Sequence, residues 1–138
     1  MCKCLYCYKP LSNGERDFHP GCARKFFGEP KAPVLDYTTE QLDDLAAKVI
    51  QDQTSLTGVQ PKLSLHLQKH QGSSRLTIVG LWGGYICKPQ TPQYPQMPEV
   101  EDLTMHLAEA AKIDVVPHTL MRMADRQQRY APEKLFAL

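Results

Sequence analysis

The chain has 138 residues, 16 Lys+Arg against 15 Asp+Glu, and a formal net charge of +1. Its length suits one domain or a small pair, and its 42% hydrophobic and 22% charged residues describe a globular chain rather than a disordered one. The near-zero charge gives no support for a dominant nucleic-acid surface, no apolar run approaches the ~20 residues of a membrane helix, and no secretory signal is visible, so the expected address is cytoplasmic.

Four of the five cysteines fall early: Cys2, Cys4, Cys7 and Cys22. An odd total without an export signal argues against a disulfide framework. Cys4-Leu5-Tyr6-Cys7 is followed by eleven residues and then His19-Pro20-Gly21-Cys22. Two short-spaced pairs on either side of a loop can place four donors tetrahedrally around one zinc ion. Four protein ligands leave no open position, so the site reads as structural. Cys2 is a rival for Cys4, although one intervening residue does not suit the usual turn. A reduced cysteine-rich tail with a surface histidine is the competing reading. Asn13-Gly14 signals a hairpin turn, and Phe18, Phe26 and Phe27 can cover the module. About 30 residues bury too little apolar surface to fold alone, so metal would supply on the order of 10 kcal/mol. Nothing in this stretch resembles a recognition helix, and direct nucleic-acid binding is not expected.

Gly28-Glu29-Pro30-Lys31-Ala32-Pro33 reads as a connector. Thr38-Thr39-Glu40-Gln41 matches a capping box, and Leu42, Leu45, Ala46 and Val49 follow at helical spacing, which predicts a helix over about 39–51. The period then changes. Leu63, Leu65 and Leu67 alternate with polar residues, Leu76, Ile78 and Val79 form a second run, and Tyr85-Ile86-Cys87-Lys88 a third. With Gln71-Gly72-Ser73-Ser74 and Gly83-Gly84 as turns, these predict an antiparallel meander. Pro89, Pro92, Pro95 and Pro98 punctuate a loop that no helix can cross. From Pro98 to about Lys112 a helix presents Val100, Leu103, Leu107 and Ala111 on one face. Val115-Val116 and Leu120-Met121 suggest further strand, and residues 126–138 are weakly patterned. His66 and His70 flank a polar turn and read as solvated, His106 and His118 show no ligand partner in the sequence, and Cys87 reads as an inert buried thiol.

The segment Thr54-Ser55-Leu56-Thr57-Gly58-Val59-Gln60-Pro61-Lys62 lies between the first long helix and the first long strand. Glycine and hydroxyl side chains can turn backbone N–H groups toward a phosphate, although composition alone is also that of an ordinary loop. Lys88 ends a strand and Glu101 lies in the first turn of the next helix. A strand lysine braced by a helical carboxylate is how kinases hold α- and β-phosphates. Taken singly, Lys88 better suits a solvated strand end and Glu101 a helix-dipole carboxylate, and it is their order and spacing together that inform.

Ser55-Leu56-Thr57-Gly58-Val59-Gln60-Pro61-Lys62, Tyr85-Ile86-Cys87-Lys88-Pro89 and Pro98-Glu99-Val100-Glu101-Asp102-Leu103-Thr104-Met105, in this order, resemble the N-lobe of HipA-like serine/threonine kinases, the toxins of bacterial type II toxin–antitoxin modules. The Cys4–Cys22 module resembles the start of one HipA-like subgroup. The resemblance implies Mg-ATP as ligand, with Gly58, Val59, Gln60, Lys62, Lys88 and Glu101 in the binding set. Val100 departs from the usual Asn of the acidic motif. Ser55 and Thr57 match hydroxyl positions that are autophosphorylated in some members, where a phosphate would add about −1.5 to −2 charge and oppose nucleotide binding.

No aspartate stands in a His-x-Asp or Asp-Phe-Gly context, so the expectation is no catalytic residue in this chain and no activity without a catalytic C-lobe. Partners implied by the resemblance are an antitoxin, a small protein equivalent to the extra N-terminal subdomain of longer toxins, and a separate C-lobe. The alternative is a non-catalytic module that binds a partner subunit or antitoxin. The expected architecture is α+β: a zinc-ribbon-like module over 1–30, a connector and helix over 31–53, a kinase-type N-lobe with an antiparallel sheet over 54–125, and a divergent tail over 126–138.

Overall fold

The computed structural model describes residues 2–52, 62–70, 72–79, 83–90, 96–123 and 133–137. Within them the fold is mixed α/β, with three helices and one six-stranded sheet of order β1-β3-β2-β4-β6-β5.

The chain opens with a knuckle and hairpin. The Cys4 N–H donates to the Lys9 carbonyl, the Tyr8 N–H to the Cys4 carbonyl, and Lys3 pairs with Pro10 across the turn. Helix α1 (Pro20–Phe27) starts on a proline, which has no N–H to leave unsatisfied. It ends at Gly28, whose φ of 81° lets its N–H close on the Arg24 carbonyl. Strand β1 (Val34–Leu35) follows, then α2 (Thr39–Asp52). The capping box forms as its sequence predicts: the Thr38 N–H donates to Gln41 Oε1 at 2.9 Å and the Gln41 N–H to Thr38 Oγ1 at 3.2 Å. Leu42 is buried and Leu45 packs on the core; the side chains of Ala46 and Val49 lie outside the described residues.

Strands β2 (Leu63–His70) and β3 (Ser73–Val79) form an antiparallel hairpin that sets Leu65 opposite Ile78 and Leu67 opposite Leu76. Here the expected meander fails. Strand β4 (Tyr85–Lys88) pairs with the far side of β2, Leu63 opposite Cys87, instead of with β3. The residue that reads as a turn glycine, Gly83, explains the crossing. Its N–H donates to Ser64 Oγ at 2.9 Å, and a Cβ there would overlap the Leu65 carbonyl. The backbone thus passes against β2 where only glycine fits. The sheet is also mixed rather than purely antiparallel, because β1 runs parallel to β3.

Helix α3 (Met97–Ala110) matches the expected helix. It does not bury the apolar face read from its spacing: Val100, Leu103 and Leu107 are exposed, whereas Pro98 and Asp102 are buried. Strands β5 (His118–Met121) and β6 (Glu133–Ala137) complete the sheet. Residues 133–137, read from sequence as part of a divergent tail, insert between β4 and β5.

The N-terminal module shares the core of the sheet. Phe26 and Phe27 meet edge-on at 4.8 Å between ring centroids, and both approach the ring of Tyr85 in β4, at 5.7 and 6.0 Å. Leu5 accepts at its carbonyl from the Thr119 hydroxyl, and Asp17 takes the Arg122 Nε–H at 2.7 Å. Among the described residues no helix is long and apolar enough to cross a membrane.

Candidate functional site

Cys4, Cys7, His19 and Cys22 converge, with donor atoms all within 4.8 Å of one another. The knuckle supplies the first pair, and the turn into α1 the second. His19 Nδ1 lies 3.5 Å from Cys7 Sγ and 3.7 Å from Cys22 Sγ, while its Nε2 hydrogen-bonds the Pro10 carbonyl at 3.0 Å. That outer bond places the proton on Nε2 and leaves the Nδ1 lone pair toward the thiols, which is how metal-ligating histidines are oriented. Burial works to raise the Cys4 thiol, but N–H groups of Cys7, His19 and Tyr6 outweigh it and bring the pKa to about 7. Burial and the neighbouring thiols Cys7 and Cys4 push Cys22 up to about 12. The shifts of Cys4 and Cys22 lie far apart, and a divalent cation bound here would favour the thiolate form of both. The quartet could hold a metal ion such as zinc, and its donor set fits a closed tetrahedral site. Cys2 is exposed and stands outside the cluster.

The second assembly lies where β4 and β6 meet α3. Lys88 Nζ donates to Glu101 Oε1 at 2.6 Å, both side chains about one-quarter exposed. Lys88 stands directly opposite Lys134 of β6, a like-charge pair that would repel without compensation. Two consecutive residues of α3 compensate it: Glu101 takes Lys88, and Asp102 takes Lys134. Both ammonium groups also lie over the Phe136 ring, at 4.9 and 5.1 Å.

Asp102 and Lys134 are fully buried. The Asp102 carboxylate also accepts from the Tyr8 hydroxyl and from His118 Nδ1, the latter at 2.8 Å. Burial works to raise its pKa, yet His118, Lys134 and Tyr8 together hold the carboxyl below its ordinary value. Burial draws Lys134 below the usual lysine range despite Asp102. Tyr8 rises well above the ordinary phenol range, through burial and then through Asp102.

The sequence-predicted residues fare unevenly. Lys88 and Glu101 are brought together. Lys62 is exposed at the entry to β2. Ser55, Thr57, Gly58, Val59 and Gln60 lie outside the described residues. Asp102, His106, His118, Tyr8 and Lys134 form a network that sequence reasoning missed, and His106 and His118 have close partners after all. One local signal was present, the four-residue spacing of Asp102 and His106 on one helix face.

A strand-end lysine ion-paired to a carboxylate of the packed helix, a buried Asp102–Lys134–His118–Tyr8 network at the helix–sheet junction, and a separate Cys/His cluster that could hold a metal together characterise this mixed α/β domain. The sequence matches the HipA-like C-terminal domain over residues 54–134. That span is more than half of the chain, and the chain belongs to this family. A comparison with curated proteins finds no match.

Proposed function

We propose that this chain is the ATP-binding lobe of a HipA-like serine/threonine kinase, stapled at its N-terminus by a structural zinc ion. The observation that carries the reading is the 2.6 Å contact between Lys88 Nζ and Glu101 Oε1. Kinases use such a strand–helix pair to aim an ammonium at the α- and β-phosphates of ATP. In this reading Gly58 and its neighbours cover the nucleotide, and Ser55 or Thr57, once phosphorylated, opposes its binding through added negative charge. The chain binds rather than transfers, and a catalytic C-lobe, an antitoxin and a small N-subdomain-like protein are its proposed partners. Calorimetry with millimolar Mg-ATP tests it. Heat of binding in the wild type that Lys88→Ala abolishes is the expected result, and the same heat in both overturns it.

A second reading, a module that binds a partner subunit without nucleotide, draws support from the exposed Val100, Leu103 and Leu107 on α3. A partner retained after Lys88→Ala but lost after Leu103→Asp favours it.

A further inference from the structure

Beyond that reading, and independent of it, lies a cluster between α3, β5 and the N-terminal hairpin. His106, His118 and Glu109 line a cleft of about 220 Å³, which Tyr6 and Cys7 close from the hairpin side. Each histidine has one nitrogen turned inward and one outward. Inside, His118 Nδ1 lies 2.8 Å from Asp102 Oδ1 and His106 Nε2 3.4 Å from Asp102 Oδ2. Outside, His118 Nε2 lies 3.4 Å from Glu109 Oε1 and His106 Nδ1 3.5 Å from Glu109 Oε2.

We infer that His106 Nδ1, His118 Nε2 and the Glu109 carboxylate form a second metal site, for a divalent transition cation of the zinc or cobalt kind. Three observations support it. First, the outer nitrogen–oxygen distances exceed the ~2.9–3.0 Å typical of an N–H···O hydrogen bond. They run to different oxygens of the Glu109 carboxylate, and each is close to the ~3.3–3.5 Å donor–donor spacing of a site whose donors lie about 2.0–2.2 Å from the metal. Second, Asp102 Oδ1 hydrogen-bonds His118 Nδ1 at 2.8 Å, on the side away from the cleft, as the carboxylate behind a metal-bound histidine does. Asp102 Oδ2 lies 3.4 Å from His106 Nε2, which is buried without a hydrogen bond. His118 Nδ1 lies 2.8 Å from Asp102 Oδ1 and 2.6 Å from the Lys134 ammonium, and the tautomer that donates to Asp102 turns the Nε2 lone pair to the cleft. Asp102 also groups with the two histidines within 4.8 Å, but on their inner side, where the Lys134 ammonium and the Tyr8 hydroxyl already engage its oxygens. Third, the rings are held in place: Tyr8 packs on His106 at 4.3 Å, and His106 meets His118 at 4.9 Å between centroids.

The two sites differ in kind. The cysteine-rich quartet is closed, whereas two imidazoles and one carboxylate leave a fourth position for water or a small anion entering the cleft. Imidazole and carboxylate donors without thiolate suit zinc, cobalt and nickel. A cation here would tie α3 to β5 at the end of the helix opposite Glu101.

Cobalt distinguishes the sites, because only the quartet gives intense thiolate-to-metal charge-transfer absorption. Metal-free, reduced full-length protein is titrated with Co²⁺ alone, in the wild type, Glu109→Gln and His106→Gln. The expected result is one equivalent with the thiolate band and a further one without it. The latter weakens at least ~10-fold in both variants, while the thiolate band and near-ultraviolet circular dichroism stay unchanged. Glu109 is half exposed, so its variant keeps the test sound if His106→Gln perturbs the fold. Absence of any thiolate-free equivalent in the wild type, or its full retention in Glu109→Gln, overturns the inference.

Discussion

Glu99 sits in the first turn of α3, where the helix dipole favours a carboxylate, yet one of its oxygens is buried without a hydrogen-bond partner. Burial wins, and the carboxyl is held above its ordinary pKa. A folded-state pKa raised above the unfolded one makes the native chain the better proton binder. Stability therefore falls as pH rises from the unfolded value of Glu99 through its folded value, and the deficit persists at neutrality. Glu99→Gln removes the charge but keeps the shape. The variant should match the wild type near pH 4 and exceed it by roughly 1 kcal/mol at pH 7, the lower end of the cost of an unsatisfied buried group. Urea midpoints at the two pH values measure this, and a variant no more stable at pH 7 than at pH 4 relative to wild type refutes it. The neighbouring Asp102 shows the opposite balance. It is more deeply buried than Glu99, but three donors hold it ionised, so partners rather than depth decide the charge state of these α3 carboxyls.

Among the elements, those specified locally were legible and those specified across the sheet were not. The capping box of α2 needs only Thr38 and Gln41, three residues apart, and it forms as read. The cysteine and histidine spacings likewise carry the quartet, because each pair sits within one turn of chain. Strand β6 was hidden because Lys134 occupies the second position of a five-residue strand, where a charged residue argues against burial. Only its pairing with Asp102, 32 residues away, makes that position tolerable. The apolar stripe of α3 misled for the complementary reason: the helix docks through Asp102 and Glu101 and turns Val100, Leu103 and Leu107 outward. The β3–β4 crossing hinges on Gly83, whose role as a close-approach residue looks the same in sequence as a turn. Gly83→Ala should cost about 1–3 kcal/mol by overpacking against β2. Gly84→Ala, with open space around its Cβ position, should cost less. Equal denaturation midpoints for the two variants would remove Gly83 from its place over Leu65.

At the scale of the whole molecule, the question is whether the metal proposed for the quartet would staple a module or the entire fold. The aromatic cluster answers it physically. Phe18, Phe26 and Phe27 are buried together with Tyr85, Leu65 and Leu63 in one core, and the Tyr85 hydroxyl reaches the Phe26 carbonyl at 3.4 Å. Tyr8 sends its hydroxyl to Asp102, so the hairpin that carries Cys4 and Cys7 also satisfies the buried carboxylate of α3. Losing the hairpin would expose apolar surface on β4 and leave Asp102 one donor short, so the two parts unfold together. Chelating metal from the reduced protein should therefore lower the denaturation midpoint of the sheet by an amount worth several kcal/mol, in one transition. Tyrosine fluorescence, which reports the aromatic core, and far-ultraviolet circular dichroism, which reports the sheet, should shift together. A sheet signal that keeps its midpoint while tyrosine fluorescence reports early melting would make the N-terminal module an independent unit.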